Sequence, residues 1–405
     1  MVTEDITPVD EGSITTPRGF LAAGVACGIK ARGEKDLSLI CSERAGRVVG
    51  LFTENRVPAA PVLLSRRHAA LGVGRAVVVN SGNANACTGP TGMADATEMV
   101  KRVASGIGCP PEEVFVCSTG RIGTALPMAK VRRGIDRALE QLSPRGGEDA
   151  ALGILTTDTY PKKTALRVSL GERELFLGGI AKGAGMIDPH LATMLCVITT
   201  DVDISQEALA AAARRAVADS FNRISIDGDC STNDTVLVFA NGLARNPTLT
   251  LESGDFRLFQ SALSLLMGRL ARMIVEDGEG VSKVVELLVQ GASDDRDAER
   301  VARTVAHSLL VKCSWHGEDP NWGRLLAAIG YSGAVVDGER VDVFYNGVQA
   351  VAGGARRSRT PAPLLREVVR LPQFTILIDL GIGSGHFRLL TTDLTERYVR
   401  INKGE

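Results

Sequence analysis

The chain has few aromatic side chains, no Cys-x-x-Cys motif and no excess of charge of either sign. Aromatic residues make up 4% of its 405 residues, and 46 basic side chains stand against 47 acidic ones, which gives a formal net charge of -1. This balance excludes a general electrostatic attraction to nucleic acid or to an anionic membrane surface. Glycine is abundant at 44 residues, so we expect small-residue packing and many tight turns.

The spacing of cysteine and histidine supports neither a disulfide framework nor a metal site. The eight cysteines are scattered and mostly lie in apolar runs, as in a protein of a reducing cytosol. The five histidines lack a His-x-x-x-His or similar ligand spacing. Asp227, Asp229 and Asp234 lie close in sequence but lack the full calcium-loop pattern, so we interpret them as a hydrogen-bonded turn. We expect no resident metal or cofactor.

The sequence shows no sign of membrane targeting. The first residues, MVTEDITPVDEG, are acidic and lack the basic-then-apolar pattern of a signal peptide. No apolar run approaches the roughly 18 residues that are needed to span a bilayer. We therefore predict a cytoplasmic protein that binds neither a membrane nor nucleic acid.

Strand-like and helix-like segments alternate along the chain. Apolar runs predict strands at 37–41, 47–52, 75–80, 113–117, 165–169, 174–177, 193–200, 333–344, 374–380 and 386–391. Helical periodicity predicts helices at 93–106, 128–142, 205–218, 256–275 and 295–310. This alternation indicates a mixed α/β protein with covered sheets. A domain boundary is expected near 281–295, where the polar run from Gly291 to Asp297 breaks the pattern.

One glycine-rich segment carries the strongest chemical signal. It reads KGAGMIDPHLATML, from Lys182 to Leu195, and places Ala192 and Thr193 at the start of an apolar strand. An ordinary turn before a strand explains the same composition, since most loops are connectors. A threonine hydroxyl needs a base to act as a nucleophile, and no histidine–aspartate pair is apparent. If the chain were cut before Thr193, its new α-amino group, with a reference pKa of about 7.7–8.0, would be suited to that role.

This segment closely resembles the signature of the ornithine acetyltransferase family, the bifunctional glutamate N-acetyltransferases of arginine biosynthesis. Further segments agree in order and spacing over essentially the whole chain: NSGNANA from Asn80, STGRIG from Ser118, TTDT from Thr156, DGDCSTND from Asp227, EDGEG from Glu276 and DPNWGR from Asp319. The sequence departs from the family at His190 and Leu191, where Asn and Met are usual. It also ends at Glu405 without the usual terminal Thr or Ser.

The resemblance implies a role for eight residues. Thr193 is implied as the nucleophile, and the bond between Ala192 and Thr193 as the site of self-cleavage. Thr119 and Gly120 are implied as the oxyanion hole. The implied substrate-binding residues are Thr156, Lys182, Thr193, Glu279 and Asn402.

The resemblance also implies a fold and a reaction. The fold is an α/β (α+β) four-layered αββα sandwich, as in self-processing aminopeptidases, with smaller α/β subdomains in the second chain. Cleavage gives an α chain of 1–192 and a β chain of 193–405, the latter with a C-terminal subdomain from about 290, assembled as α2β2. Thr193 takes acetyl from N2-acetyl-L-ornithine and passes it to L-glutamate in a ping-pong cycle. Acetyl-CoA is the second donor that the family allows.

Two other functions stay open at this stage. A self-processing aminopeptidase or amidase of related fold would use water as the acceptor, and a non-catalytic amino-acid-binding protein would never cleave itself. Lys182 and Glu279 favour the transferase, because a zwitterionic substrate needs one cation and one anion. The DPNW segment is expected to be structural, with Pro320 fixing a turn and Trp322 packing.

Overall fold

The computed structural model describes residues 5–171, 173–188 and 194–403, which divide into two compact units. The first unit takes in the described residues up to Gly183, those from 194 to Asn222, and Asp229–Ile274. The second unit consists of Ala184–Asp188, Arg223–Gly228 and the described residues from Val275 onward.

A nine-stranded sheet forms the centre of the first unit. Its strands are β1 (Ile6–Pro8), β2 (Phe20–Val25), β3 (Leu37–Phe52), β4 (Val73–Asn83), β5 (Val114–Arg121), β6 (Lys162–Leu170), β7 (Arg173–Lys182), β8 (Leu195–Thr200) and β9 (Thr235–Ala240). The helices are α1 (Ala60–Ala69), α2 (Gly89–Ile107), α3 (Met128–Glu140), α4 (Gly147–Gly153), α5 (Gln206–Asp219) and α6 (Phe256–Glu276). The strand order is β1-β6-β7-β8-β9-β3-β4-β5, with β2 also paired to β3.

The long strand β3 turns this sheet into two layers. Its first half, up to Ser42, pairs with β2, and its second half, from Arg47, pairs with β9. The sequence predicted two separate strands here. The structure joins them, because the polar residues between the two apolar runs stay extended and largely exposed while the strand passes from one layer to the other.

Side chains of the two layers interdigitate in one core. Val77 and Val79 of β4 point inward and belong to the same apolar cluster as Val197 of β8. Because successive side chains of a strand face opposite sides, Val78 belongs instead to the cluster that contains α2 and α3. The helices α2 and α3 therefore form a layer over the outer face of the sheet at β4.

The opposite helical layer includes α6. Gly179 of β7 has no side chain, and a Cβ there would lie 3.0 Å from Leu270 of α6. By length and composition alone, this helix is long and apolar enough to cross a membrane. However, 50% of its most apolar 18-residue stretch is buried inside the protein. Its apolar face packs on the sheet. The layers therefore run helix, sheet, sheet, helix, which confirms the predicted αββα sandwich.

A six-stranded sheet forms the centre of the second unit. Its strands are β10 (Val284–Ala292), β11 (Asp342–Tyr345), β12 (Val348–Ala352), β13 (Ala355–Arg356), β14 (Gln373–Asp379) and β15 (Gly385–Thr392), in the order β13-β12-β11-β14-β10-β15. The helices are α7 (Asp295–His307), α8 (Leu309–His316), α9 (Trp322–Gly330), α10 (Ala362–Arg370) and α11 (Glu396–Ile401). Trp315, Tyr345 and Phe374 are buried in its core.

Turn residues overrode the apolar pattern at one predicted strand of this unit. The prediction of a strand over 333–344 is wrong for most of its length, since only its end belongs to β11. Gly333 has a φ of +74°. The Asp337 carboxylate accepts the Glu339 N–H and caps a short 3-10 helix at Gly338–Arg340. Local side-chain hydrogen bonding of this kind competes with strand pairing.

The polar run near 291–297 has a local explanation. Gly291 has a φ of +68° where the pairing of β10 with β15 shifts register. The Asp294 carboxylate then accepts the Asp297 N–H and caps α7. A bulge and a helix cap therefore account for the residues that resembled a linker.

Candidate active site

The implied nucleophile lies outside the described residues. Thr193 falls in the undescribed stretch 189–193, together with Ala192, His190 and Leu191. The described chain resumes at Met194, whose carbonyl accepts the Thr235 N–H as β8 begins beside β9. The other implied residues are all described, four in the first unit and two in the second.

The implied oxyanion pair lies at the end of β5. Gly120 pairs with Gly82 of the parallel strand β4 and has a φ of +128°. A Cβ at Gly120 would lie 2.5 Å from the Asn83 nitrogen, so only glycine fits. Thr119 is 8% exposed, and its hydroxyl forms no hydrogen bond with any residue that the structure describes. The hydroxyl is thus free to donate to a substrate oxygen.

A polar network fixes the strand ends around this pair. The Asn233 amide donates to the carbonyl oxygens of Ala84 (2.6 Å) and Ser118 (2.8 Å). The Ser118 hydroxyl donates to Asn80 Oδ1 at 2.6 Å. Asn80 belongs to the NSGNANA segment and Asn233 to the DGDCSTND segment. The sequence singled out the segments, but it did not assign Asn80 or Asn233 a function.

A buried charge cluster surrounds the end of β7. Asp158 Oδ1 and Lys162 Nζ form a 2.6 Å ion pair between fully buried side chains. The Asp158 carboxylate also accepts the N–H groups of Gly183 (2.7 Å) and Thr156 (3.1 Å). Burial alone would raise the pKa of Asp158, but the ammonium groups of Lys182 and Lys162 lower it to about 2. Asp158 is therefore ionised and already paired.

The Lys182 ammonium group has no direct partner in this cluster. Lys182 is 8% exposed, and within the described parts of the chain its side chain forms no hydrogen bond or ion pair. The other nearby carboxyl group is that of Asp234. Burial raises the pKa of Asp234 well above its usual range, against the opposing effects of Lys182 and of hydrogen bonds from Met194 and Ser231. The Lys182 ammonium group thus has no direct counter-ion in the cluster, which suits a carboxylate ligand.

In the second unit, Glu279 and Asn402 lie together. Asn402 Nδ2 donates to Glu279 Oε2 at 2.7 Å, and the Glu279 N–H donates to the Ala184 carbonyl at 2.8 Å. A Cβ at Gly185 would lie 2.6 Å from the Glu279 carboxylate oxygens. The glycine before Met186 therefore permits the close approach of Glu279 to the glycine-rich segment.

Asp227 holds the rest of this segment. The Asp227 carboxylate accepts the N–H groups of Met186 (2.6 Å) and Ile187 (2.8 Å) and the Tyr398 hydroxyl (3.1 Å). This bonding fits the interpretation of the aspartate-rich stretch as a hydrogen-bonded turn. Among the described residues, no group of three or more histidine, cysteine, aspartate or glutamate side chains forms a metal site.

Asp188 belongs to the glycine-rich segment, but the sequence assigned it no role. Its Oδ1 accepts from Arg303 at 3.2 Å and from His307 at 3.0 Å. Both partners come from α7, more than a hundred positions away. No local sequence signal marks such a contact.

Comparisons with known proteins give a consistent result. The model of the ArgJ family matches residues 21–404. The arginine biosynthesis bifunctional protein ArgJ of Symbiobacterium thermophilum is 46% identical over 393 residues, which cover 96% of this chain and 98% of the relative. The protein of the same name from Geobacter sulfurreducens is 46% identical over 385 residues, with 95% and 98% covered. Among solved structures, ornithine acetyltransferase of Mycobacterium tuberculosis, complexed with ornithine, aligns with a TM-score of 0.44 at 42% identity, over 46% of this chain and 100% of that chain.

Proposed function

The chain belongs to the ArgJ family, and from this premise we propose that it transfers an acetyl group from N2-acetyl-L-ornithine to L-glutamate in arginine biosynthesis. The observation that carries the proposal is the buried Lys182 ammonium group, which has no hydrogen-bond or ion-pair partner within the described chain. An unpaired buried cation is unfavourable unless a ligand supplies the opposite charge. Donor and acceptor both carry an α-carboxylate that meets this need.

Self-cleavage comes first in the proposed mechanism. The Thr193 hydroxyl adds to the carbonyl carbon of Ala192, and the peptide bond becomes an ester. Water then hydrolyses the ester, which yields an α chain of 1–192 and a β chain of 193–405. The step creates the α-amino group of Thr193, whose reference pKa of about 7.7–8.0 suits a general base near neutral pH.

Acetyl transfer then proceeds in two balanced half-reactions. The Thr193 hydroxyl attacks the amide carbonyl of N-acetylornithine, its proton passes through the α-amino group to the leaving nitrogen, and ornithine departs. The amine of glutamate attacks the acetyl ester in turn, which restores the hydroxyl. The Thr119 hydroxyl and the Gly120 N–H stabilise the oxyanion in both steps.

The charged side chains have separate tasks in this proposal. Lys182 holds the α-carboxylate, and Thr156, whose N–H donates to the Asp158 carboxylate, supplies a second contact. Glu279 binds the side-chain ammonium group of ornithine or orients the α-amine of Thr193, and Asn402 fixes its carboxylate. Acetyl-CoA is proposed as a second donor, α2β2 as the assembly, and the cytoplasm as the location.

Mass spectrometry of the purified enzyme tests the proposal. The active protein should consist of two chains, and the β chain should gain one acetyl group on Thr193 after mixing with N-acetylornithine alone. Adding glutamate should remove that group and yield N-acetylglutamate. Thr193→Ala is the control, and should stay one chain and never be acetylated.

The same experiment separates the rival functions. Rapid loss of the acetyl group without glutamate would indicate an amidase that uses water as its acceptor. A single uncut chain that binds the substrates without turnover would indicate a binding protein. If the cleaved enzyme transfers acetyl but never forms an acetyl-enzyme, the covalent mechanism is wrong.

A further inference from the structure

A pocket in the second unit is lined by residues that the proposed reaction does not use. Its volume is about 160 Å³. Asp319 and Trp322 contribute one wall, and Arg356, Arg357, Thr360 and Arg366 contribute the others. The wall of Asp319 and Trp322 comes from the DPNW segment, to which the sequence assigned only a packing role.

Three arginines of the lining have guanidinium groups without partners among the described residues. Arg356, Arg357 and Arg366 form no side-chain hydrogen bond or ion pair with any described residue. The acidic residue of the lining, Asp319, accepts instead from the Asn321 amide at 2.9 Å. Like charges gathered in one concave site repel one another, and an anion relieves that repulsion. The pocket therefore carries a net positive charge that its own residues do not neutralise.

The surrounding sequence adds to this charge. Residues 355–370 contain five arginines and one glutamate, although the whole chain has a net charge of only -1. Basic side chains are thus concentrated where the pocket lies.

The start of α10 faces the same pocket. Thr360, Ala362 and Arg366 of the lining precede or belong to its first turns. No side chain caps this helix, and its first turn contains no acidic residue. The helix dipole therefore favours an anion here, in addition to the three arginines.

We propose that this pocket binds a phosphate group. Guanidinium groups match the oxygens of phosphate in paired hydrogen bonds, and a phosphate has enough acceptors to engage several of them at once. A single carboxylate has fewer oxygens to share among three arginines. The volume is below the roughly 300 Å³ of typical pockets for whole organic ligands, so only the phosphate enters. The remainder of an organic phosphate would lie outside, against the indole of Trp322.

Isothermal titration calorimetry of the full-length, cleaved enzyme at low salt tests this proposal. Inorganic phosphate and adenosine monophosphate should each bind saturably, and adenosine should not. Arg356→Gln and Arg366→Gln should each weaken the binding about tenfold or more, because each removes charge-assisted hydrogen bonds. Arg359→Gln is the matched control, since Arg359 is exposed in the same segment but does not line the pocket.

The affinities of inorganic phosphate and adenosine monophosphate, compared with each other, identify the source of the phosphate group. Tighter binding of adenosine monophosphate than of phosphate supports an organic phosphate whose base contacts Trp322. Equal binding supports a site for the phosphate group alone. The proposal is overturned if neither phosphate compound binds saturably, if adenosine binds as well as its monophosphate, or if Arg359→Gln weakens binding as much as the pocket variants do. Thermal melting of each variant shows that it is folded, and acetyl transfer should stay at the wild-type level in all of them.

Discussion

At the scale of single residues, the chemistry of the candidate site depends on which buried charges have partners. Asp158 is bonded to Lys162 and to two backbone N–H groups, and Lys182 lowers its pKa from nearby without a direct bond. Asp234 has a raised pKa because burial disfavours its ionised form. Because neither carboxyl group forms a direct bond to Lys182 in the described chain, the Lys182 ammonium group is available to a substrate.

Lys182→Met should therefore weaken the use of both substrates. A hydrogen bond to a charged group contributes about 1.5–3 kcal/mol, so we expect kcat/KM to fall by roughly tenfold to a hundredfold in each half-reaction. Steady-state kinetics with N-acetylornithine and with glutamate measure this change. Lys163→Met is the control, because Lys163 forms ion pairs with Glu11 and Glu148 instead. Equal effects of the two substitutions would contradict a specific role for Lys182.

Thr119→Ala should affect catalysis far more than stability. Loss of one oxyanion donor typically raises the barrier by about 2.7–4 kcal/mol, which corresponds to roughly 10²–10³ in kcat. Folding should change little, because the Thr119 hydroxyl forms no hydrogen bond with the described residues. Thr119→Ser keeps the hydroxyl and should retain most of the activity. A wild-type kcat in the alanine variant would exclude Thr119 from the oxyanion hole.

Asp158→Asn should destabilise the protein in a pH-dependent way. The substitution leaves Lys162 buried without its counter-charge, a change that typically costs about 3–5 kcal/mol. The pKa of Asp158 is lowered from 3.8 to about 2 in the folded protein. A lowered pKa stabilises the folded state above the unfolded value, and this contribution is lost as the pH falls through the folded value. The difference between wild type and variant should thus shrink between about pH 4 and pH 2.

Urea unfolding of wild type and Asp158→Asn at neutral and acidic pH measures that difference. Asp149→Asn provides the comparison, because Asp149 pairs with Lys35 at a half-exposed site. Such surface pairs contribute about 0–1 kcal/mol. A constant gap between wild type and Asp158→Asn at all pH values would contradict the buried ion pair.

At the scale of the elements, regular periodicity predicted most helices and strands, and turn chemistry decided the exceptions. The helix α3 and the strand β14 were found close to their predicted bounds. The apolar run at 333–344 was not, since Gly333 and Asp337 impose turns that outweigh it. The spacing of apolar residues predicts which side of an element is buried. It does not show whether local hydrogen bonds will impose a turn instead of a strand.

The same limit explains which parts of the site could be predicted from the sequence. Residues in recognisable segments, such as Thr119 and Glu279, were assigned roles in advance. The contacts of Asp188 with α7 were not, because they depend on how distant elements are packed. The pairing of Asp158 with Lys162, four residues away, was missed because the sequence does not show that both side chains are buried. These supporting contacts have no motif of their own.

Gly120, next to the last residue of β5, lies too close to β4 to carry a side chain. Gly120→Ala should lower both the melting temperature and the activity, because the new methyl group would collide with the backbone of β4. Gly123→Ala is a matched control, since Gly123 also has a positive φ, of +79°, but has open space around it. The control should show only the conformational penalty of about 1–2 kcal/mol. Similar melting temperatures for the two variants would show that the ends of β4 and β5 can separate.

At the scale of the whole molecule, the strand order links the two products of the proposed cleavage. In the first unit, β8 and β9 would belong to the β chain, while β7 and β3, which flank them, would belong to the α chain. The β7–β8 ladder runs from Leu177 paired with Thr200 to Lys182 paired with Leu195. Both chains also contribute side chains to the apolar core between the two layers. Separation of the chains therefore requires the first unit to unfold.

We predict that the cleaved chains stay together under all conditions in which the first unit is folded. They should co-elute in size-exclusion chromatography at high dilution and at high salt, because ladder hydrogen bonds and apolar burial, and not exposed charges, join them. In rising denaturant, the chains should separate only as circular dichroism reports loss of structure. The two tryptophans, Trp315 and Trp322, both lie in the second unit, so tryptophan fluorescence follows that unit separately. Dissociation of the chains by dilution or salt alone, with the circular dichroism unchanged, would contradict the interleaved sheet, since β8 and β9 cannot leave its middle while the sheet stays intact.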